Sequence, residues 1–92
     1  MRVKLEWDEE KRRRTLRERG LDFADVARLD WDRAVIIPDD RRDYGERREV
    51  AMAELDGRLM VVAYTIRGDA LRVISFRKAN ARERRVFDDF QT

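Results

Sequence analysis

Two tight-turn signals in the second half of the chain constrain its fold more than any other feature. Asp56-Gly57 and Gly68-Asp69 each separate two apolar segments, and two-residue loops of this kind join the strands of β-hairpins. A chain of 92 residues built on such hairpins is expected to form one small α+β domain, covering 1–92. The turns predict three consecutive antiparallel strands, at 47–55, 58–67 and 70–78.

Two shorter strands are predicted before these hairpins. Residues 3–7 alternate between apolar and polar side chains, and 34–37 form an apolar run that ends at Pro38. The polar segment 38–48, which contains Gly45, predicts a loop. We therefore expect an antiparallel sheet of four to five strands.

Three helices are predicted around this sheet. Asp8 is placed to cap a first helix that ends at Gly20, and Asp22 is placed to cap a short second one. Asn80 and Glu83 form a capping box at the start of a C-terminal helix. The chain should thus have two N-terminal helices and one C-terminal helix. The apolar stripe of the last helix is Val86, Phe87 and Phe90.

The two turns also fix the register of the three strands, if both loops contain two residues. Counting from the turns places Met52 opposite Val61, Val61 opposite Phe76, and Tyr64 opposite Val73. One face is then nearly all apolar, and the helices should pack on it. That face carries Val50, Met52, Leu59, Val61, Ala63, Ile74 and Phe76. The opposite face carries Glu49, Ala51, Ala53, Met60, Val62, Tyr64, Val73, Ser75 and Arg77, with Arg77 opposite Met60.

The charged side chains are distributed unevenly, although the net charge is only +2. Residues 1–20 carry eight basic and five acidic groups, and residues 67–85 carry seven basic and two acidic ones. Residues 21–66 carry seven basic and eleven acidic groups. If the two basic segments meet in space, they form a surface suited to a polyanion. A solvated, salt-bridged surface is the alternative that composition leaves open.

Several classes of function are disfavoured by what the chain lacks. It has no cysteine and no histidine, which removes a disulfide framework, a thiolate metal site and the commonest general base. We expect no cofactor and no metal, because the acidic pairs Asp39-Asp40 and Asp88-Asp89 are adjacent in sequence and their side chains diverge. No apolar run reaches transmembrane length, so no membrane association is expected and a cytoplasmic location is the default.

The remaining chemistry-bearing side chains are Arg, Lys, Tyr and Glu on or beside the sheet, and such a set can cleave RNA without histidine. Cleavage needs a base for the 2′-hydroxyl, stabilisation of the pentavalent phosphate and an acid for the 5′-oxygen. Arginine stays charged and serves as a phosphate clamp, whereas Lys, Glu or Tyr can move protons. We therefore predict a catalytic set of Arg77, Lys78, Tyr64 and Arg67, with Arg72 and Arg84 in substrate binding.

Each of these residues also has a purely structural interpretation. Tyr64 can be an aromatic residue at the edge of the core, and Lys78 can be a plain surface lysine. Arg77 can simply pair with Glu49, Glu83 or an aspartate. The arginines of the last helix can form a solvated face that attracts RNA without specificity. The residues alone leave these alternatives open.

Six stretches match, in order and spacing, a known pattern that spans nearly the whole chain. They are LEWDEEK at 5–11, Gly20 with Phe23, GERR at 45–48, VVAYTIRGD at 61–69, RVISFRKA at 72–79 and ER at 83–84. No single stretch is decisive, but their joint order and spacing are fairly specific. On these residues the chain resembles the BrnT family of bacterial toxins, which are distant relatives of RelE-type ribonucleases.

The resemblance implies a RelE-like fold and a translation-inhibiting ribonuclease from a type II toxin–antitoxin pair. The implied partners are RNA as substrate and a BrnA-like antitoxin with a ribbon-helix-helix region, so that operator DNA is contacted only through the antitoxin. The implied active surface is the sheet face that bears Arg77 and Tyr64. A non-catalytic RNA-binding or protein-interaction module on the same scaffold is the alternative.

Two positions in the first helix depart from the family pattern. Family members usually carry Asn and His where this chain has Thr15 and Arg19. Arg19 can hold a phosphate but cannot replace a histidine as a base. Lys11 matches the family, and we expect Lys11 and Arg19 to bind substrate.

Overall fold

A five-stranded mixed sheet forms the centre of the molecule, in a computed structural model that describes residues 4–41 and 43–91. The strands are β1 (Lys4–Trp7), β2 (Val35–Pro38), β3 (Arg48–Leu55), β4 (Arg58–Arg67) and β5 (Ala70–Lys78). They lie in the order β1-β5-β4-β3-β2. The α+β class and the predicted strands are thereby confirmed, apart from Val3, which lies outside the described residues.

The direction of β1 corrects the expectation of a wholly antiparallel sheet. β1 runs parallel to β5, whereas the other three pairs of neighbours are antiparallel. The antiparallel direction of β3, β4 and β5 follows from their short hairpin turns. β1 and β5 are joined by most of the chain, so no tight turn constrains their relative direction.

Two α-helices and two short 3₁₀ helices accompany the sheet. They are α1 (Glu9–Arg19), the 3₁₀ helices Phe23–Arg28 and Trp31–Arg33, and α2 (Ala81–Gln91). α1 begins and ends where predicted, because the Asp8 carboxylate accepts the N–H of Glu10 at 2.9 Å and Gly20 ends it with φ of 69°. No helix among the described residues has the length and apolar character needed to cross a membrane.

The predicted second N-terminal helix is wrong in type. Asp22 caps it as expected, accepting the N–H of Ala24 at 3.0 Å, but the six residues that follow form a 3₁₀ helix. The carbonyl of Val26 accepts the N–H of Leu29 and also the indole N–H of Trp31, the latter at 2.9 Å. These bonds favour the tighter helix and end it before a regular α-helix is established.

The hairpin turns and the register nearest to them are confirmed. Asp56 and Gly57 have φ of 50° and 82°, as the two central residues of a type I′ turn require. Met52 lies opposite Val61 across β3 and β4. Across β4 and β5, Tyr64 lies opposite Val73 as predicted.

A β-bulge in β5 overturns the predicted register farther from the turn. Ile74 has no opposite residue in β4, so Val61 faces Arg77 and not Phe76. Met60 accordingly no longer faces Arg77. Because successive side chains of a strand point to opposite faces, this one-residue shift moves every β5 side chain beyond the bulge to the other face.

Both faces of the sheet bury apolar side chains, which corrects the prediction that the helices pack on one face. α2 packs on the predicted face, which we call the α2 face, whereas the N-terminal helical segments pack on the opposite one, which we call the core face. The core-face cluster is the larger, because Ala51 and Ala53 let bulky side chains approach the sheet. It contains Phe23, Val26, Leu29, Ala51, Ala53, Met60, Val62, Tyr64, Leu71, Val73 and Phe76. The α2-face cluster contains Val35, Met52, Leu59, Val61 and Phe87.

The two basic segments of the sequence lie side by side, which is the arrangement under which they form a surface suited to a polyanion. β1 pairs along the first half of β5. Farther along β5, the Arg19 guanidinium at the end of α1 donates from Nη1 to the carbonyl oxygen of Phe76 at 3.2 Å. β2 and β3, which belong to the acidic middle of the sequence, lie toward the opposite edge of the sheet. The molecule therefore has a basic side and an acidic side.

Candidate functional site

Small and polar side chains occupy the part of the α2 face on β4 and β5 where Ser75 is exposed, Ala63 is half-buried and Thr65 is buried. The register places Ala63 opposite Ser75, and Thr65 between Arg48 on β3 and Arg72 on β5. Arg77 lies on the same face, two residues beyond Ser75. We call Arg48, Arg72 and Arg77 with this floor of small residues the arginine surface.

The spacing of the strands fixes how closely these guanidinium groups can approach one another. Neighbouring strands lie about 4.8 Å apart, so the Cα atoms of Arg48 and Arg72, on either side of β4, are about 10 Å apart. Arginine side chains are long enough to reach toward a single anion from those positions. The residue between them is Thr65, whose side chain is buried and whose hydroxyl donates to the carbonyl oxygen of Arg47 at 2.7 Å.

Arg77 is held by the first turn of α2. Its Nη1 and Nη2 donate to the two carboxylate oxygens of Glu83 at 2.8 and 2.7 Å. The capping box is confirmed, because Glu83 also accepts the N–H of Asn80 at 2.9 Å and donates its own N–H to the Asn80 side chain at 2.8 Å. The hydrogen bonds between the two side chains raise the pKa of Arg77 and lower the pKa of Glu83.

Arg48 and Arg72 are each partly engaged by a neighbour. The Arg48 guanidinium lies 3.9 Å from the centre of the Tyr44 ring, a cation–π contact. Its Nε is shielded from solvent and has no hydrogen-bond partner within the described residues. Arg72 Nη1 lies 3.8 Å from Glu6 Oε2, a long ion pair between half-exposed side chains.

The bulge removes Tyr64 from this surface. Tyr64 lies on the core face, is 2% exposed, and meets the ring of Trp31 edge-on at a centroid distance of 5.8 Å. Burial raises the pKa of its hydroxyl, and the neighbouring Glu49 carboxylate adds to the effect. Glu49 also accepts from Arg47 at 3.1 Å. The prediction that Tyr64 shares a face with Arg77 is therefore wrong.

The remaining predicted residues are spread around the basic side of the molecule. Lys78 is exposed at the end of β5 on the core face, opposite Met60. Arg19 lies nearby through its bond to the β5 backbone. Lys11 is half-buried on α1, eight residues before Arg19. Eight residues are two successive i, i+4 steps, so both side chains lie on one side of the helix.

Two further predicted arginines are paired with carboxylates at opposite ends of the sheet. Arg67 Nη2 donates to Glu46 at 3.2 Å at the far end of β4. Arg84 in α2 pairs with Glu54 and with Asp88, both at 3.2 Å. Of the eight predicted residues, Arg67 and Arg72 lie on the α2 face beside Thr65, and Arg77 lies on the same face farther along β5.

Arg48 was missed as a candidate although the sequence carried the signal for it. The predicted register between β3 and β4 is correct, and it already places Arg48 opposite Thr65. Counting one residue pair beyond Tyr64 would therefore have identified it. The position of Arg77 had no such signal, because nothing in the local sequence marks Ile74 as a bulge.

The arginine surface has the chemistry of an anion-binding site. Three arginines lie on one face of the sheet, and guanidinium groups bind phosphates through parallel hydrogen bonds. Arg48 and Arg72 flank Thr65, whereas Arg77 lies opposite Val61, about 13 Å farther along β4. The carboxylates beside them are paired with arginines, as at Glu83 and Glu6. In 4–41 and 43–91, no group of three or more acidic side chains is arranged to hold a metal ion.

Comparison with known proteins identifies the family of the chain. No curated protein matches it. A family described as ribonuclease toxin, BrnT, of type II toxin–antitoxin system matches residues 7–83, which is most of the chain. The chain therefore belongs to the BrnT family of ribonuclease toxins from type II toxin–antitoxin systems.

Proposed function

We propose that this protein is an endoribonuclease that cleaves RNA at the arginine surface and thereby inhibits translation in the cytoplasm. The observation that carries the proposal is that Arg48, Arg72 and Arg77 lie on the same face of the sheet. Membership of a ribonuclease toxin family supports RNA as the polyanion that this face meets.

The proposed role of the arginines is to bind the scissile phosphate and stabilise its pentavalent state. Negative charge grows on the phosphate oxygens as the 2′-hydroxyl attacks, and guanidinium groups held in place stabilise that charge without reorganisation. Arg77 is the best oriented of the three, because Glu83 fixes it through two short hydrogen bonds. Loss of one such donor typically lowers kcat by about 100- to 1000-fold.

Proton transfer has to proceed without histidine. Glu6 is the carboxylate nearest to Arg72, and we assign it the role of accepting the proton of the 2′-hydroxyl. The proposed acid for the 5′-oxygen is Lys78, the exposed last residue of β5 and the next residue after Arg77. Lys11 is assigned to substrate binding. Arg19, Arg67 and Arg84 serve in this proposal to attract RNA. Tyr64 is assigned a structural role.

The proposed reaction needs no metal ion, because arginines supply the positive charge that a metal would otherwise supply. We therefore expect purified protein to cleave RNA equally well with and without EDTA. A rate that falls to background on chelation and returns with Mg²⁺ would contradict this part of the proposal.

The proposed partner is a BrnA-like antitoxin with a ribbon-helix-helix region, through which the complex contacts operator DNA. Membership of a type II family supports an antitoxin partner. We expect the purified toxin alone not to shift an operator fragment in a gel at 150 mM salt (about physiological ionic strength), and the complex with the antitoxin to do so. A specific shift by the toxin alone would contradict this assignment.

The pairing of the arginines favours one alternative, a non-catalytic RNA-binding module. Arg77 is already neutralised by Glu83, and Arg19 stands where relatives usually carry histidine. This reading predicts salt-sensitive RNA binding without cleavage by the pure protein. A cleavage assay on single-stranded RNA, read by gel at matched protein concentrations, separates the two readings.

The experiment that tests the leading proposal is induction of the protein in cells and measurement of growth. Wild-type protein should arrest growth, and Arg77→Ala should relieve the arrest while the folded protein accumulates. Arg85→Ala is the matched control, because Arg85 is an exposed arginine of α2 outside the arginine surface. If folded Arg77→Ala remains as toxic as Arg85→Ala, the assigned site is wrong.

A further inference from the structure

The outer edge of β2 is an open strand edge. β2 is the last strand on the acidic side of the sheet, and no strand of the described residues pairs with its outer side. Its outward N–H and C=O groups are therefore available to another extended segment. Open edges of this kind bind partner chains by β-strand addition.

Apolar side chains surround this edge on both faces of the sheet. Ile36, on the core face, is 47% exposed, and Ile37, on the α2 face, is 46% exposed. Phe90 is 68% exposed in the last turn of α2. That turn lies beside the start of β2, because Gln91 and Arg33 exchange hydrogen bonds of 2.9 and 3.3 Å. Exposed apolar residues are ordinary when scattered, but three around one open edge indicate an interaction site.

A groove on the core face begins at the same strand. It has a volume of about 950 Å³, and Ile36, Trp31 and Asp32 form part of its wall. A segment added to β2 would point alternate side chains to the two faces of the sheet. Those on the core face would enter the groove, and those on the α2 face would meet Ile37.

The charged residues around the outer edge of β2 indicate which class of partner this edge can bind. Exposed carboxylates flank β2 on both sides along the chain, at Asp30, Asp32 and Asp40. The basic residues beside them in the sequence are Arg33, Arg41 and Arg42. Arg41 is paired with the buried Asp39 at 2.8 Å. This acidic surrounding repels RNA, and it also disfavours pairing with the same edge of a second copy. It fits a segment that carries apolar residues between basic ones.

We infer that the outer edge of β2 is the docking site of the antitoxin, which adds an extended, apolar and basic segment to the sheet. The inference rests on the proposed function and locates its partner. β2 and β5 are three strand spacings apart, about 14 Å. Docking at β2 is therefore distant from Arg72 and Arg77 on β5, whereas Arg48 on β3 lies one strand spacing from β2.

The test compares variants of the edge with a matched control. Ile36→Lys and Ile37→Lys remove apolar contact and reverse the local charge, and their half-exposed side chains make retained folding the expected result. Leu16→Lys is the control, because Leu16 is 42% exposed on α1, on the basic side. The probe is the purified protein encoded by the reading frame adjacent to the toxin gene, titrated by calorimetry into each toxin variant.

We expect each edge variant to bind this probe about 30-fold or more weakly, as loss of a central apolar anchor does, and Leu16→Lys to bind like wild type. Hydrogen exchange of the amides at 35–37 should slow when the wild-type complex forms. In cells, the edge variants should stay toxic when the antitoxin is co-expressed.

The possible failures are distinguishable. If wild type binds the probe and the edge variants bind equally well, the docking site is wrong while the proposed function stands. If wild type alone is a dimer by light scattering and Ile37→Lys makes it a monomer, the edge serves a second copy and the inference is overturned. If wild type does not bind the probe, the antitoxin assignment in the proposed function fails, and the inference fails with it.

Discussion

The Arg77 side chain connects β5 to α2 and also takes part in the proposed chemistry. Glu83 receives two hydrogen bonds from Arg77 while it caps α2 through Asn80. The orientation of the guanidinium is therefore tied to the start of the helix. Tyr64 differs, because its aromatic ring and hydroxyl are buried on the core face and take no part in the proposed chemistry. The difference between the two residues follows from which face each occupies.

Tyr64→Phe tests this difference. The substitution removes a buried hydroxyl that is hydrogen-bonded to Glu49, whose carboxylate keeps its bond to Arg47. We expect a loss of about 1 kcal/mol in the free energy of unfolding, measured by urea denaturation. We expect RNA cleavage to stay at the wild-type rate. A large loss of cleavage activity in the folded variant would show that Tyr64 belongs to the catalytic site.

The pairing of Glu83 with Arg77 predicts a pH dependence of stability. The pKa of Glu83 in the folded protein lies below its ordinary value of 4.5, so the ion pair stabilises the fold above that pH. This stabilisation is lost as the pH falls through the lowered pKa. Glu83→Gln keeps a capping side chain but removes the charge.

The thermal midpoints of wild type and Glu83→Gln measure this contribution. We expect wild type to have the higher midpoint at pH 7, and the difference to shrink as the pH falls below 4.5. Asn80→Ala is the control, because it removes a cap while leaving the carboxylate on Arg77. A difference between wild type and Glu83→Gln that does not change with pH would contradict the ion-pair account.

At the scale of elements, the sequence predicts well those turns and helix ends that short-range signals determine. Asp56-Gly57 marks a turn, Asp8 and Gly20 mark the ends of α1, and all three are observed. The bulge at Ile74 carries no local signal, because it arises from how β5 fits β4 and the core. One unmarked residue therefore changed the predicted neighbour of Arg77 and the composition of the candidate site.

Deletion of Ile74 tests the role of the bulge. Without the extra residue, β5 would pair regularly with β4 and keep Ser75, Phe76 and Arg77 opposite Ala63, Val62 and Val61. Phe76 would stay on the core face and Arg77 on the α2 face. We expect the deletion variant to fold and to show a cooperative unfolding transition by circular dichroism. Loss of that transition would contradict the assignment of Ile74 as the extra residue.

At the scale of the whole molecule, the fold places the basic segments of the sequence toward one edge of the sheet and the acidic segment toward the other. The parallel pairing of β1 with β5 brings the two basic segments together, and β2 carries the acidic segment to the opposite edge. The proposed cleavage site extends from Arg72 and Arg77 on the basic side to Arg48 on β3, and the outer edge of β2 is where we infer antitoxin docking. Charge separation of this kind favours the correct partner at each side and disfavours the wrong one.

The central claim is that RNA is cleaved on the α2 face, and adjacent arginines test it most directly. Arg48 lies on that face, whereas its neighbour Arg47 pairs with Glu49 on the core face. The measurement is kcat for cleavage of single-stranded RNA by purified, folded Arg48→Ala and Arg47→Ala. We expect Arg48→Ala to lose about 100-fold or more and Arg47→Ala to stay close to wild type. Equal rates for the two variants, or a loss confined to Arg47→Ala, would contradict the account.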